Sequence, residues 1–149
     1  MIIAFFRLIR FKNLIILALS QIVLKYMFLN MADAGIGLSN LLFFILLITT
    51  LLLAAAGYII NDIYDEPSDK INEPLKVIIN HIISEKTAIK IYIAFNSIGL
   101  GLGYYLSYKI NHSGFALLFL FVAFSLLKYA QSWKKIIFVK NILIAFLIS

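Results

Sequence analysis

The chain has no cysteine, two prolines, two histidines and seven acidic residues in 149. Without cysteine there is no disulfide framework, no thiolate metal site and no cysteine nucleophile. The two histidines, His81 and His112, stand alone in separate polar stretches and do not form a metal pair. Charge is scarce as well: 13% of residues are Asp, Glu, Lys or Arg, against about 25% in a typical soluble domain. Apolar residues fill the space, at 63% of the chain with a mean hydropathy of +1.01. So little polar surface cannot wrap a water-soluble globule, which excludes a cytosolic fold. There is no internal repeat and no Pro-, Gly- or Ser-rich linker, so residues 1–149 read as a single domain.

A helix crossing the hydrocarbon core of a bilayer needs roughly 20 apolar residues. Residues 38–60 carry no charge and reach that length alone. Residues 91–108 and 110–127 are two more uncharged runs, parted by Lys109 in a short turn. Residues 13–31 form another span, interrupted by Lys25, whose long side chain would snorkel to the interface if the helix ends near Asn30. Residues 136–149 begin a fifth that stops short of a full crossing. The expected architecture is therefore all-α: a polytopic transmembrane helix bundle with four full spans and a truncated fifth. The first apolar run lacks a small-residue cleavage site behind it, so it reads as a span and not as a signal peptide. Gly99 and Gly103 make a G-x-x-x-G inside one span, a small-residue face that lets helices approach closely. Ala54-Ala55-Ala56-Gly57 has the same character.

A net charge of +6 would suggest nucleic acid in a soluble chain, but its placement says otherwise. Arg7, Arg10 and Lys12 precede the first span. Lys70, Lys76, Lys86 and Lys90 follow the second, and Lys128, Lys134, Lys135 and Lys140 surround the start of the fifth. If the spans alternate, these fall on one side and only Lys25 and Lys109 on the other. The positive-inside rule then places the N-terminus and the loop of residues 61–90 in the cytoplasm. Nucleic-acid binding is left unsupported.

Six of the seven acidic residues lie between Asp62 and Glu85, directly after the most apolar span. Asp62, Asp65 and Asp69 are spaced i, i+3 and i+7, which at about 100° per residue confines them to roughly a 60° arc of one helical face. Like charges there repel unless something positive sits among them. A hard divalent cation such as Mg²⁺ fills that role, because it takes oxygen ligands and is commonly shared between carboxylates and a substrate phosphate. Pro67 would bend or end the helix before Asp69. A solvated acidic loop with no ligand is the alternative reading of the same residues. The ligand spacing excludes an EF-hand.

The motif Asn61-Asp62-x-x-Asp65-x-x-x-Asp69 resembles the first aspartate-rich motif of the UbiA superfamily of intramembrane prenyltransferases. The likeness continues through Asp69-Lys70-Ile71-Asn72-Glu73-Pro74-Leu75-Lys76 and through Ile83-Ser84-Glu85-Lys86-Thr87-Ala88. It includes the basic lead Arg7-Leu8-Ile9-Arg10-Phe11-Lys12-Asn13, and more loosely Ser132-Trp133-Lys134-Lys135 with Asn141. The resemblance implies transfer of a polyprenyl group from a polyprenyl diphosphate to an aromatic, quinone-precursor ring or to a glycerol-phosphate lipid, with Mg²⁺ as cofactor. It implies Asp62 and Asp65 as catalytic residues, and Asp62, Asp65 and Asp69 as Mg²⁺ ligands. Asn61, Asp69, Lys76, Lys134 and Lys135 would contact the diphosphate. It also implies an integral protein of a bacterial or archaeal cytoplasmic membrane. After Asp69 the chain has no further aspartate, whereas the family carries a second aspartate-rich motif in its later half. The chain is therefore expected to correspond to an N-terminal half, without catalysis by itself unless another polypeptide or a second copy completes the site. A catalytically inactive fragment, a split-gene half or an interaction subunit are the alternatives.

Overall fold

The computed structural model describes residues 2–29, 38–72, 74 and 77–131. Its elements are α1 (Ile2–Leu8), α2 (Phe11–Val23) continued by a π-helical segment (Leu24–Leu29), α3 (Asn40–Asn72), α4 (Glu85–Lys109) and α5 (Gly114–Gln131). Among the described residues no strand forms, so the fold is all-helical as expected. Two helices, α3 and α5, are long and apolar enough to cross a membrane. The other two expected spans form helices in their places without passing that test. α2 covers 13 residues before the π-helical segment begins. In α4, three glycines, four tyrosines, Asn96 and Ser97 dilute the apolar content. The expected fifth span lies outside the described residues.

α3 is the spine. Its 33 residues are about 50 Å long at 1.5 Å per residue, well beyond a hydrocarbon core of about 30 Å. The apolar stretch 40–60 accounts for about 31 Å, so residues 61–72 project about three turns past it. The acidic segment expected as a loop is thus the end of a helix. Pro67 does not stop that helix, contrary to expectation. Ser68 Oγ donates to the Asp65 carbonyl at 2.9 Å, and Lys70 pairs with Glu66 one turn away, so side chains brace the turn that proline weakens.

α2 lies antiparallel to α3, and three polar contacts mark the alignment. Arg10 meets Asp62 at one end, Gln21 meets Thr50 midway, and Lys25 meets Asn40 at the other end. Lys25 is 8% exposed, with Nζ donating to Asn40 Oδ1, at the very start of α3, at 2.8 Å and standing 4.4 Å from the Phe43 ring centroid. A hydrogen-bond partner and an aromatic face hold the ammonium inside. Hydroxyls within the apolar helices close onto their own backbone, as with Thr49 on Ile45 and Ser20 on Ile16.

The small residues act as expected. A Cβ on Gly99 would sit 3.0 Å from a Leu53 methyl of α3, and one on Gly103 would sit 2.6 Å from the Phe119 ring of α5. The G-x-x-x-G face therefore serves both neighbours of α4. Gly57 meets Leu126 of α5 in the same way. At the acidic end, residues 77–84 turn back so that Ile78, Ile79 and Ile83 are buried with Leu8, Ile59 and Ala88. Ser84 then caps α4 by accepting the Thr87 N–H at 3.2 Å, which contributes about 1 kcal/mol.

Candidate functional site

The chain reverses between α1 and α2 at Arg10, whose φ of 49° and ψ of 53° lie in the left-handed region. That sharp turn aims the Arg10 guanidinium at the last turns of α3. Arg10 Nη2 donates to Asp62 Oδ1 at 3.1 Å, and the guanidinium carbon lies 5.0 Å from the Tyr58 ring centroid. The charge expected among the aspartates is supplied, in part, by the protein itself. Asp62 retains 23% of its side-chain exposure. Burial pushes its carboxyl above the ordinary value, helped by the negative charges of Asp65 and Asp69, while Arg10 pulls it back.

The aspartates of the 60° arc divide between two neighbouring cavities. Asp62 and Asp69 open, with Glu66, onto the more polar of the two, about 570 Å³, where Arg7, Arg10 and Lys12 share the wall with apolar side chains such as Phe6 and Ile78. Asn61 and Asp65 face a second cavity of about 730 Å³ between α2, α3 and α5, lined largely by apolar side chains. Asn61 Nδ2 donates to Asp65 Oδ2 at 2.6 Å and so fixes that carboxylate from the preceding turn. Arg10 borders both spaces and stands at their junction. Among the described residues, no three acidic or histidine side chains converge closely enough to hold an ion by themselves.

The remaining polar groups frame the site. Glu66 accepts from Lys70 and from Asn80 Nδ2 at 3.1 Å, and both bonds hold its carboxyl below the ordinary value. Asn80 also accepts the Glu85 N–H at 3.2 Å, so this residue ties the acidic end of α3 to the start of α4. Gln131 Nε2 donates to Tyr64 OH at 3.0 Å, tying the end of α5 to the same segment. Of the expected site residues, the structure places Asn61, Asp62, Asp65 and Asp69 together around Arg10. Lys76, Lys134 and Lys135 lie outside the described residues. The sequence reading missed Arg10 and Glu66 as site residues. Arg10 had been absorbed into the topology signal, and its spacing of 52 residues from Asp62 hides the pairing.

Comparison with known proteins agrees with the motif. Residues 22–149 match the model of the UbiA prenyltransferase family. The chain is 40% identical over 81 residues to a digeranylgeranylglyceryl phosphate synthase of Korarchaeum cryptofilum, covering 54% of this chain and 26% of that protein. It is 38% identical over 91 residues to a protein of the same name from Saccharolobus solfataricus, covering 60% and 30%. The aligned part thus spans less than a third of either relative. No solved structure matches the chain significantly. The family match begins inside α2, so Arg10 lies ahead of it.

Proposed function

Because this chain belongs to the UbiA prenyltransferase family, we propose that it acts in transferring a geranylgeranyl-type prenyl group from its diphosphate to a glycerol-phosphate lipid. The observation that carries this reading is the junction at Arg10. On one side lies a space with both carboxylates and cations, and on the other a largely apolar space between helices. A prenyl diphosphate has those two halves. Its charged head suits the polar cavity, and its hydrocarbon tail suits the groove between α2, α3 and α5.

The donor set fits Mg²⁺ without a closed cage. This ion commonly binds through one or two carboxylates plus substrate phosphates, and Asp62 and Asp69 open on the same cavity. We assign these two, with Asp65 from the groove side, to Mg²⁺-diphosphate binding. Bound there, Mg²⁺ supplies positive charge against the departing diphosphate. Arg10, Arg7 and Lys12, which line the same cavity, would add positive charge for the leaving diphosphate. The C1–O bond of the prenyl diphosphate breaks and its electron pair leaves with the diphosphate. The acceptor's hydroxyl oxygen then bonds to C1 and releases its proton. The apolar groove excludes water, which would otherwise capture the allylic cation.

In the membrane we place α2 to α5 as spans, with the acidic end of α3 and the N-terminus in the cytoplasm, a placement that the clustered basic residues support. The test uses the purified chain in lipid nanodiscs with geranylgeranyl diphosphate, Mg²⁺ and geranylgeranylglyceryl phosphate. Mg²⁺-dependent binding of the diphosphate is expected, and both Asp62→Ala and Asp69→Ala should abolish it. Product from this chain that survives Asp62→Ala and Asp65→Ala would remove the site assignment. Preference for an aromatic acceptor would overturn the lipid assignment.

A further inference from the structure

The groove that faces Asp65 has a polar floor. On α2 and α3 its deepest lining residues are Gln21 and Thr50. Thr50 Oγ1 donates its proton to the Leu47 carbonyl at 2.9 Å, so toward Gln21 it can only accept. That fixes the amide: Gln21 Nε2 donates to Thr50 at 2.7 Å, and Gln21 Oε1 is left buried with no hydrogen-bond partner. Beyond the groove, at the start of α3 and ten residues from Thr50, the Lys25 ammonium and Asn40 form a separate polar contact. On α2 and α3 the apolar part of the groove therefore ends against the Gln21–Thr50 clasp.

We propose that the Gln21–Thr50 clasp is a stop that sets the length of the prenyl chain the groove accepts, at about four isoprene units. This inference rests on the prenyl-transfer reading above. Along α3, Thr50 lies 11 residues below Asn61 and 15 below Asp65, a depth of about 16–22 Å at 1.5 Å per residue. An extended polypeptide advances about 3.5 Å over three main-chain bonds, so a four-bond isoprene unit advances about 4.7 Å. Four units fill that depth. A fifth would meet the clasp, and would have to separate Gln21 from Thr50 to go farther. Thr50 would keep its bond to Leu47, but the Gln21 amide would lose its hydrogen bond to Thr50 against hydrocarbon, which disfavours the longer chain by about tenfold.

The test measures binding of farnesyl, geranylgeranyl and geranylfarnesyl diphosphates, of three, four and five units, to the full chain in nanodiscs with Mg²⁺. The four-unit compound is expected to bind about tenfold more tightly than the five-unit one. Gln21→Leu leaves Thr50 bonded to Leu47 and should bring the two within about threefold. Ala54→Leu, one turn nearer the site on the same wall, should move the preference to three units. Circular dichroism checks that each variant keeps its helices. Independently of any variant, a geranylgeranyl diphosphate carrying a photoreactive group at its far end should crosslink at Gln21 or Thr50. Binding without length dependence, an unchanged ratio in a helical Gln21→Leu, or crosslinks mapping elsewhere would overturn the stop alone. Absence of binding at every length would overturn the prenyl-transfer reading and this inference with it.

Discussion

Removing the Arg10 side chain tests whether a pairing across 52 residues organises the site. Arg10→Ala deletes the 3.1 Å bond to Asp62 and the contact with the Tyr58 ring. Two unit charges 4 Å apart at an effective dielectric of 20 attract by about 4 kcal/mol, which sets the ceiling. Fully exposed pairs sit near 0.2–1 kcal/mol, which sets the floor. Here the side chains keep 44% and 23% of their exposure, so solvent screens the guanidinium more than the carboxylate. A coupling of about 1–1.5 kcal/mol follows, with about 0.5 kcal/mol more from the ring contact. The assay is a double-mutant cycle of Arg10→Ala and Asp62→Ala, read by denaturant unfolding in detergent micelles. Arg10→Ala should cost more than Asp62→Ala, because it leaves a half-buried carboxylate without its partner. A coupling below about 0.3 kcal/mol, or equal losses in the two single variants, would refute the argument.

Three other outcomes follow from the same geometry. Gly103→Ala places a methyl 2.6 Å from the Phe119 ring and should lower stability by about 1–3 kcal/mol, whereas Gly101→Ala meets nothing within 4 Å and should raise it by up to about 1 kcal/mol; thermal melts of the pair decide this. Pro67→Ala restores a backbone donor inside α3 and should stabilise the chain by about 1–3 kcal/mol, and an unchanged or lower midpoint would show that the proline is fully accommodated. Burial makes folded Asp62 hold its proton more tightly than the unfolded chain does, so its contribution to stability falls as pH rises from the ordinary carboxylate value through the raised one. Asp62→Asn should remove that component from the pH dependence of unfolding.

Much of the architecture was legible before any coordinates. Uncharged runs place the apolar parts of α3, α4 and α5, because apolar length is a local property that needs no partner, but they miss the last twelve residues of α3 and the first six of α4. The small residues at 57, 99 and 103 were readable for the same reason, since a missing side chain invites whichever helix is nearest. Local pattern failed where a distant group intervened. Pro67 argued for a bend or an end, but the helix runs on to Asn72, with Ser68, Lys70 and Asn80 bracing the turns around it. The partners of Lys25 could not be read either, because Asn40 and Phe43 belong to another helix.

The candidate site divides along the same line. The sequence by itself determined the all-helical class, the aspartate motif at the end of the main span and, through that motif, the family. Those follow from hydropathy, helical period and residue spacing within one segment. Only the tertiary structure decided which aspartates share a space. Their 60° arc is wide enough to straddle the line where α1 and α2 meet α3, so Asp62 and Asp69 turn to the polar cavity and Asp65 to the groove. It also decided that Arg10 stands between them. A left-handed turn in one segment and a helix end in another must dock before that charge and that carboxylate can meet, and no spacing along the chain encodes the docking.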